Sequence, residues 1–405
     1  MLTIDSVNLR SWHRAILLFF TMAGMTGASM MVRLPLIREM LGVSNGELGL
    51  LLVAGSIGAM SGLLFVGKFI AHRGTRAGII LGFSIWCFGM LLVASGLALH
   101  NPILFALGNF FGGVGGGMTD VGINVDGSAI EQKLGRAAMP KMHAAFSIGT
   151  LIGAGLGTIA IQLNLSVAIQ VAVLAVICFI LPMTNLGKLP TDNGLHSEEE
   201  KAGKNEATFS KVVVLLGLGI FGMTLAEGAS NDWLTIAVVD DYKQSTTVAG
   251  SAYSVLLLSM ALTRFFGGNL ADRFGRALTL RGTALAGIIG LITIIAGVNF
   301  SIAFAYIGAV LWGIGVALAF PLFLSAAGEQ PQPAKTVALV TTFGYTAFLV
   351  GPPLLGLLGQ AVGVTNMYWV ITLFLIASFI AAGSAGNTRA RKPKLGVKPL
   401  EVDIR

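Results

Sequence analysis

Gly112-Gly-Val-Gly-Gly-Gly-Met-Thr-Asp120-Val-Gly-Ile-Asn124-Val-Asp126-Gly-Ser-Ala-Ile-Glu131 decides the fold. It sits in a segment that is apolar from Pro102 onward, so its carboxylates stand where hydrocarbon is expected. Drawn as a helix at about 100° per residue, Asn109, Gly113, Gly116, Asp120, Asn124, Gly127 and Glu131 fall within about 40° of one line. The result is a stripe of acid, amide and bare backbone. A charged side chain at bilayer depth costs on the order of 3 kcal/mol even on insertion scales, so such a stripe faces a bundle interior or a wet path.

The chain as a whole agrees with that solvent. Of 405 residues only 11% are charged and 55% are hydrophobic, against about 25% charged in a soluble protein. The reading is an all-α polytopic membrane protein. Cys87 and Cys178 both lie in apolar stretches, with no zinc spacing and no disulfide framework. The N-terminus lacks a short apolar core followed by a small-residue cleavage site, so no removable signal peptide is expected. Gly62-Leu-Leu-Phe-Val-Gly67-Lys68-Phe69 imitates a phosphate-binding loop, but Phe69 replaces the hydroxyl residue and no soluble strand precedes it. With no His-Glu-x-x-His or Gly-x-Ser-x-Gly string either, enzyme, cofactor and metal chemistry are not expected.

Apolar segments long enough to cross about 30 Å fall near 12–37, 48–71, 77–99, 102–130, 140–163 and 167–186. They resume near 212–239, 249–270, 278–298, 302–327, 337–362 and 367–385. This predicts twelve transmembrane helices in two six-helix pseudo-repeats: a bundle over 1–187, a connector over 188–210, a second bundle over 211–388 and a basic tail over 389–405. The connector carries Glu198-Glu199-Glu200 beside Lys201 and Lys204 and reads as a solvated link, with a regulatory segment as the other reading. Arg10, Arg14, Lys68, Arg73, Arg76, Lys133, Arg136, Lys141, Arg273, Arg276, Arg281, Lys335 and the tail fall on one side. The other side receives Lys243 and Arg38, with Arg33 just inside the first helix. Positive charge marks the cytoplasmic face, so both termini and the connector are expected there. The basic balance is therefore topogenic; the lipid bilayer is the partner it implies, and nucleic acid is not.

The halves resemble each other at an offset of about 200 residues. Gly67-Lys-Phe-Ile-Ala71-His72-Arg73-Gly74-Thr-Arg76 answers Gly267-Gly268-Asn-Leu-Ala271-Asp272-Arg273-Phe-Gly275-Arg276, and Phe146-Ser-Ile-Gly-Thr-Leu-Ile-Gly weakly echoes Phe343-Gly-Tyr-Thr-Ala-Phe-Leu-Val-Gly. Gly268-x-x-x-Asp272-Arg273-x-Gly275-Arg276 resembles the cytoplasmic signature motif of the major facilitator superfamily. The resemblance covers essentially the whole chain. It implies a secondary transporter working by alternating access, with Asp272, Arg273 and Arg276 in a gating latch. The first copy departs from the motif: His72 stands in the acid's place and the turn reads one residue short, which makes a pH-sensitive latch or simple drift.

Within that superfamily, Asp120-x-x-x-Asn124 resembles the proton-coupling position of the fucose-permease-like branch. Asn124-Val-Asp-Gly-Ser-Ala-Ile-Glu131, Met142-His143-Ala-Ala-Phe-Ser147, Glu227-Gly-Ala-Ser-Asn231-Asp232-Trp233 and Gly344-Tyr345-x-Ala-Phe348-Leu-Val-Gly-Pro352-Pro353 are similar to a bacterial subgroup. That subgroup includes the enterobacterial inner-membrane protein YbjJ and a membrane protein tied to rhizopine metabolism. The resemblance implies a monomer in a bacterial inner membrane, moving a small-molecule substrate of the sugar, polyol or inositol class in symport with protons. The branch's second acid, in the first helix, is missing here, where Met30, Met31 and Arg33 stand.

Other residues follow from placement. An Asp120 carboxylate that is neutral in one state and charged in the other can bias a two-state bundle; the plain alternative is an interhelical cap. Asp126, about 240° round from Asp120, and Glu131 are expected to pair with Lys133, Arg136 or the signature turn. Glu227 lies about fifteen residues into the seventh helix, near mid-membrane, and with Asn231 either lines the cavity or makes an ion pair. Asp232 could meet Arg33 as a gate or a structural pair. His143, Ser147 and Thr150 share a face, with His143 near the cytoplasmic mouth. Arg264 needs an acid that the sequence does not name. Asn109 is a polar contact on the stripe; Tyr345, Phe348 and Trp312 could stack on a substrate ring or simply pack. Pro352-Pro353 should break or kink the eleventh helix and leave carbonyls unpaired. Efflux of a drug or metabolite, and ligand sensing without transport, are the competing functions.

Overall fold

The computed structural model describes residues 7–134, 138–195, 210–330 and 333–386. The connector residues Glu198 to Lys204, Arg136, the tail and the side chain of Lys335 lie outside the described residues. Among the described residues the regular elements are helical. They are α1 (Leu9–Met31), α2 (Leu34–Leu41), α3 (Asn45–Ala98), α4 (Pro102–Leu134), α5 (Met139–Gln162), α6 (Val167–Met183), α7 (Lys211–Asp240), α8 (Thr246–Phe274), α9 (Arg276–Gly297), α10 (Ile302–Val316), α11 (Ala319–Ala327), α12 (Pro333–Val362) and α13 (Val364–Ala381). These make twelve spans. The first and tenth are each broken into two helices (α1 with α2, α10 with α11), and the second and third run together as the 54-residue α3.

Local chemistry sets the helix starts. Asn8, Ser44, Ser210, Ser245 and Ser301 each accept a backbone N–H with a side-chain oxygen, an N-cap contributing about 1 kcal/mol. Ser44 and Glu47 close a full capping box. Leu64, Phe265, Ile103 and Leu373 point outward with most of their surface exposed, which only hydrocarbon tolerates in such number.

α3 changes direction at Gly74, whose φ of 79° and ψ of 163° no ordinary L-residue adopts without strain. Gly275, between α8 and α9, has φ 84° and ψ 154°. The two signature turns therefore share one backbone, and that register corrects the alignment. Counted from the glycines, the first turn is not short: Ala71, not His72, stands opposite Asp272, and Thr75 opposite Arg276. His72 bonds the Lys68 carbonyl of its own helix at 2.7 Å.

The spans of α3 pack on α4 through bare backbone. A Cβ on Gly115 would strike the Trp86 nitrogen and the Gly82 carbonyl, and one on Gly108 the Val93 nitrogen. Helices approach this closely only through small residues, and close backbone packing replaces the hydrophobic drive that lipid removes. In α12, Pro352 and Pro353 lie inside a helix that continues past them. Pro352 has no N–H for the Phe348 carbonyl one turn earlier; the Ser56 hydroxyl of α3 donates to that carbonyl at 3.0 Å. The helix carries the expected freed carbonyl without breaking.

Candidate substrate cavity

The two bundles meet at one end. Arg38 of α2 makes a two-pronged ion pair with Asp240 at the end of α7 and also donates to Asn45 Oδ1 at 2.6 Å. Beside it the Gly46 N–H donates to Gln360 Oε1 at 3.1 Å, and Gly49 is pressed against the Pro352 carbonyl. Thr235 Oγ1 donates to the Met31 carbonyl at 3.4 Å, and Gly250 of α8 abuts Thr158 of α5. At the opposite end Asp272 and Arg273 face water, and Gly67 and Gly268 have open space before them. Arg273 lies over the Phe274 ring, and Arg276 bonds Glu329 and Ser325 within its own half.

The fourth span has an accessible opening along its polar stripe. Asp120 is exposed to water although it sits deep among the helices, and Gly116, one turn earlier, has open space where a Cβ would be. Asn124 Nδ2 donates to the Asp120 carbonyl at 2.8 Å and to its Oδ1 at 3.1 Å. The helical stripe therefore divides. Gly116, Asp120 and Asn124 face the opening, whereas Gly113 is packed on Gly55 and buried Asn109 turns its amide to the Phe105 carbonyl at 3.0 Å. Asn109 is not placed to meet a solute here, because a membrane-buried amide satisfies its own helix first.

The second bundle supplies a facing polar set. Arg264 Nη2 bonds Glu227 Oε1 at 2.7 Å and its Nε donates to the Ala317 carbonyl at 3.1 Å. Glu227 is thus the acid that Arg264 required. Tyr253 donates its hydroxyl to Asn231 Oδ1 at 2.8 Å. The Phe348 ring covers the face of Gly228 where a Cβ would sit, and Tyr345 is edge-on to Phe320 with centroids 6.2 Å apart. Across the divide, Tyr345 is within electrostatic reach of Asp120, and His143 within reach of Arg264. The side chain of His143 is itself exposed and edge-on to Phe20.

Several expected partners differ. Arg33 does not pair with Asp232: it bonds the Gln170 amide oxygen and donates to the Leu165 carbonyl at 2.7 Å, while Gln170 holds Ser29 at 2.6 Å. A buried guanidinium between α1 and α2 finds the acceptors of α6 and the turn before it. Trp312 is fully buried, with Tyr368 edge-on at 5.1 Å, so its ring packs inside the second bundle. Asp126 is 0% exposed. Its oxygens accept from Trp12 Nε1 at 2.8 Å, from Asn193 Nδ2 at 2.6 Å and from the Thr75 hydroxyl. The signature turn supplies one of those three partners; the others come from α1 and the segment after α6. Glu131 caps α5, accepting the Ala138 and Met139 N–H groups at 2.7 and 2.9 Å. Sequence reasoning missed the Arg38–Asp240 pair, for which the only signal was one cation on a cation-poor side.

The family model of the Major Facilitator Superfamily matches residues 15–336 and again 216–400. The chain belongs to the major facilitator superfamily. It is 30% identical over 374 residues to an uncharacterized MFS-type transporter of Yersinia pestis, covering 92% of this chain and 94% of that one. The membrane protein MosC of Rhizobium meliloti is 26% identical over 366 residues, covering 88% and 85%. Among solved structures, a mutant of the nucleoside transporter NupG aligns with a TM-score of 0.73 at 15% identity, covering 93% of this chain and 99% of that chain. FucP in its outward conformation aligns at 0.60 and 18% identity, covering 93% and 100%. This is a multi-pass membrane transporter of that superfamily and not an enzyme.

Proposed function

We propose that this transporter carries a small hydroxylated solute of the sugar, polyol or inositol class, with protons as the coupling ion and Asp120 as the coupling group. The observation that carries the reading is a carboxylate deep in the membrane domain, open to water and bonded only to Asn124 among the described residues. Burying it charged is costly and burying it protonated is not, so its protonation biases which state of the bundle prevails. The polar set of Asn124, Glu227, Asn231, Arg264 and Tyr345 offers donors and acceptors from both bundles, which suits hydroxyl groups better than an apolar drug. The likeness to FucP and the fucose-permease-like motif favour the same class. We place the halves at 1–187 and 211–388, with the lysine- and arginine-rich end, both termini and the connector in the bacterial cytoplasm. The structure is then an inward-open state, with Arg38–Asp240 closing the outer seam in the role first considered for Arg33 and Asp232, and with Asp272 and Arg273 unlatched.

Candidate solutes are chosen by thermal shift of the purified protein against sugars, polyols, inositols, amines and drugs. Uptake of the hit into proteoliposomes under an imposed pH gradient tests the function. One proton per solute predicts accumulation of about tenfold per pH unit. Asp120→Asn is expected to remove accumulation while sparing exchange of labelled for unlabelled solute; unchanged accumulation refutes the role. A smaller effect is expected at the outer seam. Ser56→Ala loses one cross-half hydrogen bond, about 1 kcal/mol, and should raise maleimide labelling of an outer-seam cysteine about fivefold.

A further inference from the structure

Three carboxylates stand at membrane depth around the centre of the molecule, and they are not equivalent. Glu227 is held by Arg264, and Asp120 is exposed. Asp232 shares neither condition. It lies in α7 one turn before Thr235, whose hydroxyl meets the Met31 carbonyl of α1 in the closed seam. It is half-buried, and no hydrogen-bond or ion partner holds it among the described residues.

The groups that could compensate it are committed elsewhere. On α8, Tyr253 is within electrostatic reach but gives its proton to Asn231. Arg264, also on α8, is bonded to Glu227. Arg33, following α1, is bonded to Gln170 and Leu165, and Arg38 of α2 to Asp240. Glu39 of α2 carries the wrong sign. Arg10, His13 and Arg14 of α1, and Asp272 and Arg273 of α8, lie at the far ends of their helices; nearer along the bundle are the phenols Tyr345 of α12 next to Phe320, Tyr368 of α13 against Trp312, and Tyr306 of α10 on Ser251.

From this placement we infer that Asp232 is a second protonation site of the transport cycle, working in opposite phase to Asp120. In the conformation seen here Asp120 is exposed, and Asp232 is half-buried beside the seam contact of Thr235. Parting α1 from α7 at the Arg38 end would hydrate Asp232, and closing the other end would bury Asp120. An ionised Asp232 therefore disfavours the closed seam and a protonated one permits it. The chain then supplies from α7 the second acid that its first helix lacks. The inference rests on the proton-coupled reading above, but its test needs no solute.

The experiment uses the full chain in proteoliposomes with Ser56→Cys as a reporter within the seam and Cys87 and Cys178 replaced by Ala. Labelling by a membrane-impermeant maleimide is followed while external pH is varied, with each rate divided by that of an exposed control cysteine at Gln162, at the end of α5. Raising the pH should speed normalised labelling about tenfold, the change a 1.4 kcal/mol shift in the seam equilibrium gives. Asp232→Asn should hold labelling at the slow value at every pH, and Asp232→Glu should restore the response. A pH response that survives in Asp232→Asn, or one that Asp120→Asn alone removes, overturns the inference. Failure of the underlying reading shows separately, as solute accumulation indifferent to the pH gradient.

Discussion

Asp126→Ala should lower the folding stability of the purified protein by about 3–5 kcal/mol, the largest loss expected from any single side chain. The substitution removes a fully buried acceptor and strands three donors from three separate elements: Trp12 of α1, Thr75 of the turn after Gly74, and Asn193 beyond α6. Thr75 also donates its own N–H to the Asn193 carbonyl at 2.8 Å, so losing the carboxylate loosens the whole base of the first bundle. Water does not reach the site to take over the bonds. Thermal melts in detergent check this, with Asp126→Asn as the comparison. Asparagine keeps one acceptor oxygen but turns an NH2 toward the other donors, so an intermediate melting temperature is expected. A melt of Asp126→Ala matching the unsubstituted protein would show that the three donors find other partners.

Gly115→Leu should prevent accumulation of folded protein. Overpacking a core ordinarily costs about 1–3 kcal/mol because side chains shift to make room. Here the obstructing atoms are the Trp86 nitrogen and the Gly82 carbonyl, which cannot move without separating two spans. Gly116→Leu, one position on, is the matched control, since open space lies before it. It should fold normally and impair solute uptake by filling the cavity beside Asp120. Size-exclusion profiles of the two variants, tagged with a fluorescent protein, decide between packing and cavity for the adjacent glycines.

The contrast between those glycines shows what the sequence could carry. Both lie in one apolar segment, and helical periodicity put Gly116 on the line of Asp120 and left Gly115 off it. Span count, the repeated turn and the accessible part of the stripe at Gly116, Asp120 and Asn124 were legible because each depends on local periodicity or on solvent. What failed depends on distance in space between residues far apart in the chain. Depth and helical angle allow Asp232 as a partner for Arg33, yet Gln170 and Leu165 take its guanidinium. Arg264 announced that it needed an acid, since a membrane cation rarely goes unpaired, but only the packing of α7 on α8 named Glu227. The turn register was misread by one residue because Ala71 and Ala271 matched by identity, whereas Gly74 and Gly275 match by backbone.

Pro352 gives the seam between the halves an unusual economy of motion. The Phe348 carbonyl that it leaves without an N–H is bonded to Ser56 while the seam is shut. When the seam parts, that carbonyl is met by incoming water, and a serine hydroxyl in a helix can fall back on the carbonyl one turn before it, here Leu52. Each polar atom exchanges one partner for another, and the number of hydrogen bonds is conserved through the cycle. A seam built from two complete helices would have no such bond to trade and would rely on side-chain pairs alone. The proline thus lets a backbone contact between the halves be both specific and freely reversible.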